Sequence, residues 1–299
     1  MSLRMRLMGG LMRPVMRVMM NRVERPEPLR WHLDVTARWV FRRVPGMEAR
    51  DVRYPEGRAL WVSAGAVRED RVLLYIHGGG FIAGRPETHQ KMVARLCRMT
   101  GMRAFMPAYR LAPEHPLPAA QEDVRRAWDY LRTEGHAPEQ IVIGGDSAGG
   151  GLALSLLAEL GREGQRPAGV FAWSPCADLS FSGASVESND ATEHFFPARR
   201  VHDLAAMALG DVAAKDPRVS PLFAEFSDCP PVLIQASESE ILLDDARRMA
   251  EVLRQAGGEV ELETWAGAPH VWQIFDGWFP EARAAIASTA RWISSLSDR

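Results

Sequence analysis

The chain has 299 residues, 36 Lys and Arg against 38 Asp and Glu, and is 46% apolar, which describes an ordinary globular protein of one large domain or one domain with a lid. A formal charge of −2 leaves no basic surplus for gripping phosphates, so nucleic acid is excluded as a partner. Cys97, Cys176 and Cys229 are too few and too irregular for a disulfide framework or a four-ligand zinc site, and the expectation is a reducing, cytoplasmic setting with no metal.

Met1, Met5, Met8, Met12, Met16 and Met19 recur at steps of three and four, which places them on one face of a helix. Arg4, Arg6, Arg13 and Arg17 interrupt this run, so no stable membrane insertion is expected. Either the helix lies on a membrane with its arginines outward, or it packs over the protein's own apolar surface, and packing is the commoner fate of such stripes. Gly9, Gly10 and Pro14 argue against a long continuous helix.

Strand-like runs at 49–54 and 59–63, joined by Pro55-Glu56-Gly57, then predict a hairpin. Short apolar runs at 72–76, 102–106, 141–143, 169–173, 232–236 and 260–264 are separated by helical patterns at 87–99, 119–132, 148–160 and 244–255, with a closing helix at 281–294. This is the rhythm of buried parallel strands with crossover helices, an α/β fold. Between Asp178 and Leu222 the rhythm stops, apart from a helix-like run at 201–209, and an inserted segment is expected there.

The richest window is Gly145-Asp146-Ser147-Ala148-Gly149, where a strand runs through glycines into a helix. A serine on a sharp strand-to-helix turn needs small residues two places before and after it, and both are Gly here. Taken alone, such a turn also suits phosphate binding. A second strand exit, His77-Gly78-Gly79-Gly80-Phe81, leaves backbone N–H groups uncovered, and Gly79, Gly80 and Ala148 can aim three donors at a developing oxyanion.

A nucleophilic Ser147 needs a base late in the chain, and of eight histidines only His270, in a Gly/Pro loop after the last strand, has that position. The acid belongs to the loop after the preceding strand, which offers Glu238, Glu240, Asp244 and Asp245. Glu240 is preferred, because Asp244 and Asp245 open a helix and suit its dipole. His77 is expected to organise the glycine loop through a ring hydrogen bond.

Together, His77-Gly78-Gly79-Gly80-Phe81, Tyr109-Arg110-Leu111-Ala112-Pro113-Glu114-His115-Pro116, Gly145-Asp146-Ser147-Ala148-Gly149-Gly150, Glu240 and Pro269-His270 resemble the hormone-sensitive-lipase-like, or GDXG, branch of the α/β-hydrolases. The resemblance implies an α/β-hydrolase core over 46–177 and 223–299, with a helical cap made from residues 1–45 and 178–222. It also implies a cofactor-free carboxylesterase acting on small-molecule esters of short to medium acyl chain, with Ser147, Glu240 and His270 as its triad. Phe81, Met12, Met16, Phe195 and Phe196 are the expected pocket residues, and Asp146 and Glu114 are expected to be structural. Family habit suggests a homodimer through the last strand. Many members carry Asp where this chain has Glu240, so the longer side chain must be accommodated. A lactone or N-acetyl amide substrate fits the same residues, and a non-catalytic receptor on this scaffold is disfavoured because His270 is present.

Overall fold

The computed structural model describes residues 2–55 and 57–296. Eight strands form one sheet: β1 (Met47–Tyr54), β2 (Gly57–Ala64), β3 (Val72–Ile76), β4 (Arg103–Pro107), β5 (Ile141–Asp146), β6 (Gly169–Trp173), β7 (Val232–Ser237) and β8 (Val260–Trp265). Their order is β1-β2-β4-β3-β5-β6-β7-β8, with β2 antiparallel to both its neighbours and every other pair parallel. The expected hairpin is present, with Tyr54 opposite Gly57, while Glu56 of its turn lies outside the described residues. Strands β3, β5, β6 and β7 are buried throughout, as unbroken apolar runs require when helices cover both faces.

The helices are α1 (Leu3–Asn21), α2 (Glu27–Trp39), α3 (Pro86–Thr100), α4 (Ala119–Thr133), α5 (Ala148–Arg162), α6 (Ser185–Ser188), α7 (Val201–Leu209), α8 (Leu243–Gln255) and α9 (Pro280–Ser295). α4, α5 and α8 contribute to one large core that includes Trp128, and α3 and α9 close the other core around Phe171 and Trp173. This is an α/β-hydrolase fold. Each parallel strand delivers its C-terminal end to the same edge, so the loops leaving β3, β5, β7 and β8 converge there.

The N-terminal expectation needs correction, because α1 runs unbroken for 19 residues through Gly9, Gly10 and Pro14. Gly10 and Pro14 are both exposed, so the Gly10 carbonyl that Pro14 cannot pair faces the solvent side. Gly9 is buried against His194, whose Nε2 lies 2.7 Å from where a Cβ would stand, so a glycine there admits the neighbouring ring. Met5 and Met20 are buried, and Met12 and Met16 face inward over the strand ends; Met1 and the side chain of Met8 lie outside the described residues. The competing readings of this helix therefore do not exclude one another, since one face is packed and Leu7, Leu11, Val15 and Val18 remain exposed on the other. α2 adds a second helix that the methionine pattern did not announce.

α1 is fastened to the 178–222 segment through its arginines. Arg13 Nε donates to the Glu193 carbonyl at 3.0 Å, and Arg17 donates to the Asp190 carbonyl at 2.6 Å and to both oxygens of its carboxylate. α2 is tied to the core by Arg30, which donates to the Ile82 and Ala112 carbonyls and forms a two-pronged pair with Glu114 at 2.7 Å. Glu114 thus has the structural place expected of it, and Arg30 holds its carboxyl down at about 2.

Candidate active site

Ser147 stands between β5 and α5 with φ 52° and ψ −121°, a conformation that a side chain tolerates only when its surroundings impose it. Its own N–H is held by the Trp173 carbonyl at 2.8 Å. The glycines around it are obligatory for a steric reason: a Cβ on Gly145 would lie 2.3 Å from the Gly149 carbonyl oxygen, and one on Gly149 would lie 2.1 Å from that of Ile76. The expected elbow is therefore present, and its tightness comes from α5 starting directly against β3.

His270 sits in the loop after β8, with Nε2 2.9 Å from Ser147 Oγ and Nδ1 2.6 Å from Glu240 Oε2. A carboxylate only accepts, so Nδ1 carries the proton and Nε2 is left to accept from the serine hydroxyl. Burial favours the neutral ring, but the hydrogen bond and charge of Glu240, followed by Glu193 and Asp146, outweigh it and raise the His270 pKa above its usual value. The Glu240 side chain curls back so that Oε1 accepts from Ser237 N at the end of β7, 2.7 Å away, while Oε2 reaches the imidazole. That is how a glutamate fits where a shorter acid is common. Its rivals are occupied elsewhere: Asp244 accepts from Ser185 N, Asp245 from Ala177 N and Asp178 N, and Glu238 from the Thr264 hydroxyl.

The glycine loop leaves β3 beside the elbow. Gly79 has φ 127°, and a Cβ on it would lie 2.0 Å from the Ala83 carbonyl oxygen, so no other residue fits. Among the described residues no backbone carbonyl outside helices and strands accepts from the N–H of Gly79, Gly80 or Ala148, and all three residues line the cavity beside Ser147. His77 donates Nδ1–H to the Gly78 carbonyl at 2.8 Å and stacks on Tyr109. Burial and the nearby His89 push its pKa down to about 3, so it is neutral and serves the loop. Asp146 accepts from Tyr75 Oη at 2.7 Å and Gly78 N at 3.1 Å, which binds the two strand exits together.

Glu193, on the 178–222 segment, was not anticipated. It is 1% exposed, and its carboxylate accepts from Phe195 N at 2.8 Å and from Ile241 N, next to Glu240, at 2.9 Å. Burial raises its pKa. Only its place in the Glu193-His194-Phe195-Phe196 cluster hinted at a role, because its partner Ile241 is far away in sequence. Asn189 and Thr192 add donors to the carbonyls of Glu238, Ser239 and Glu240.

Above Ser147 lies a cavity of about 510 Å³. Met12, Met16, Phe81, Phe195 and Phe196 all line it, and the rings of Phe195 and Phe196 stand T-shaped to that of His270, with centroids 6.4 and 5.3 Å away. Its wall is mostly apolar, with Leu179, Phe181 and Leu204 among the contributors; its polar residues are Ser147, His270, Asp146 and His89 at the glycine-loop end and His32 and Thr36 on α2. Such a chamber suits an uncharged molecule with one polar bond to present.

A family model described as the α/β-hydrolase fold matches residues 73–274. The chain belongs to the hormone-sensitive-lipase-like carboxylesterases of the α/β-hydrolase fold. This hormone-sensitive-lipase-like chain is 34% identical over 273 residues to an esterase of Acinetobacter venetianus, covering 91% of this chain and 89% of that one. It is 35% identical to the carboxylesterase/phospholipase LipF of Mycobacterium tuberculosis, with 85% and 71% covered. A crystal structure of an esterase from the bacterial hormone-sensitive lipase family superposes with a TM-score of 0.92 at 33% identity, covering 99% of both chains.

Proposed function

We propose that this chain is a serine carboxylesterase that hydrolyses acyl esters of short to medium chain length through an acyl-enzyme on Ser147. The observation that carries this reading is the unbroken Ser147–His270–Glu240 hydrogen-bond chain in the floor of a mostly apolar cavity. In this reading residues 1–45 and 178–222 act as a two-part cap over the hydrolase core, and they set which acyl and alcohol groups fit.

Ser147 Oγ attacks the ester carbonyl carbon while its proton passes to His270 Nε2. The carbonyl oxygen takes the negative charge and receives hydrogen bonds from the N–H groups of Gly79, Gly80 and Ala148. Glu240 holds the imidazole in the tautomer that can accept the proton, then stabilises the imidazolium. The intermediate collapses, the alcohol leaves with the proton from His270, and the acyl group stays on Oγ. Water then attacks the acyl carbon, giving its proton to His270, and the carboxylic acid departs as that proton returns to Ser147. A cavity of about 510 Å³ accommodates a modest acyl chain beside its alcohol, which supports the chain-length range that the resemblance implies.

The test is hydrolysis of p-nitrophenyl esters from acetate to palmitate by wild type and Ser147→Ala. Turnover should peak among the shorter chains, and the variant should fall by about 10⁴–10⁶ while remaining folded. A variant retaining more than a tenth of the activity, or a folded wild type with no turnover on any ester, overturns the reading.

A further inference from the structure

Residues 1–45 hold ten arginines, no lysine and only three acids, Glu24, Glu27 and Asp34, whereas the whole chain sums to −2. The positive charge is therefore local. Arg13, Arg17 and Arg30 are turned inward onto carbonyls and carboxylates. Arg4, Arg22, Arg25, Arg38 and Arg42 are exposed, and no ion pair engages them among the described residues. Beside them stand exposed apolar side chains: Leu7, Leu11, Val15 and Val18 follow one another at steps of four, four and three along α1, and Trp31 and Trp39 project from α2 at 67% and 75% exposure. Arg4 and Arg22 share the exposed side of α1 with that stripe, and the Arg38 and Arg42 guanidiniums lie over the rings of Trp39 and Trp278.

Leu11, Val15 and Val40 are exposed and also line the cavity above Ser147, so these side chains border the chamber. Exposed apolar side chains and tryptophans with arginines free of ion pairs beside them are what an anionic phospholipid surface recognises: the rings and aliphatic groups enter the headgroup boundary, and the guanidiniums meet phosphates. We infer that the outer face of α1 and α2 docks on an anionic phospholipid surface, with the mouth of the cavity turned toward the lipid. The substrate class this suggests, acyl esters held in or near such a layer, rests on the esterase reading; the docking itself does not.

Vesicle sedimentation tests it, with the Ser147→Ala protein so that no lipid is consumed and a failure of the esterase reading does not affect the result. Vesicles containing phosphatidylglycerol should carry the protein down at least tenfold more strongly than pure phosphatidylcholine, and high salt should reverse much of the gain. Leu7→Asp/Trp31→Asp/Trp39→Asp should reduce binding tenfold or more, and in the active background the same changes should leave p-nitrophenyl butyrate turnover unchanged. Arg22→Glu/Arg38→Glu, which leaves the apolar residues alone, should weaken binding to the phosphatidylglycerol vesicles and flatten its salt dependence. Equal binding to both vesicle types, no binding to either, or a wild-type dimer that the triple variant converts to monomer without any vesicle binding overturns the inference; the last outcome assigns the face to a second copy of the chain.

Discussion

At the ends of β3 and β5 the backbone comes so close to itself that a Cβ at Gly79, Gly145 or Gly149 would stand 2.0 to 2.3 Å from a carbonyl oxygen. Over the same site, α1 and the 178–222 segment touch closely at Gly9 and His194 and are otherwise joined by arginine side chains that reach carbonyls on the neighbouring element. The first region permits almost no residue but the one present, and its polar groups are fixed before any substrate arrives. The second is fastened by long side chains and carboxylates, so many apolar residues can take the positions that face the cavity. On the proposed reading, chemistry belongs to the first region and selectivity to the second, a division that mutations can break or sharpen.

Glu240→Gln carries the largest expected effect after loss of Ser147 itself. Turnover should fall by about 10³–10⁴ through misorientation of the imidazole. Because Glu240 helps raise the His270 pKa, the acid limb of the kcat/KM profile, which rises with pH as His270 loses its proton, should move to lower pH in the variant. Equal damage from Asp244→Asn with little from Glu240→Gln would reassign the acid. Gly79→Ala should cost about 10²–10³ in kcat by disturbing the donor loop, with KM changing far less. A change confined to KM would move Gly79 out of the region of chemistry.

Glu193→Gln tests the seam between the regions. One of its two backbone N–H partners would then face an amide donor, and the fold should lose about 1–3 kcal/mol in chemical denaturation. Variant stability equal to wild type would show that the seam does not depend on this carboxylate. Asp245, beneath the loop after β6, leaves turnover alone and bears only on the pH dependence of stability. Burial pushes its carboxyl up to about 8, above its unfolded value, so the stability it contributes is complete below about pH 4 and is lost as the pH rises toward 8. Asp245→Asn keeps an acceptor for Ala177 N and Asp178 N, and should lessen the fall in Tm between pH 5 and pH 8 by on the order of 10 °C. An unchanged pH dependence would contradict a raised Asp245 pKa.

The core and the geometry of the candidate site were legible in the sequence because close backbone approach leaves glycine no substitute and because strand exits follow chain order. Ser147, His270 and the glycine loop are all of that kind. Glu240 could be ranked above Asp244 and Asp245 because helix starts attract acids, and the structure puts those two on Ser185 and on the loop after β6. The covering helices were legible only as composition. The continuity of α1 past Pro14 depends on which side faces solvent, the need for Gly9 on the distant His194, and the burial of Glu193 on Ile241, none of which leaves a local pattern.

The stitches from α1 to Asp190 and Glu193, from Asn189 and Thr192 to the acid loop, and from Glu240 to His270 form one continuous line from the first helix to Ser147. Substrate range in such a protein can drift one side chain at a time, at positions such as Met12 or Phe196 that face the cavity. Wholesale grafting of a foreign N-terminal segment is another matter, since it would bring new side chains to the mouth while removing the arginines that hold the segment beside the acid. Diversification by point change is open to this architecture, and diversification by segment exchange requires both covering segments to travel together.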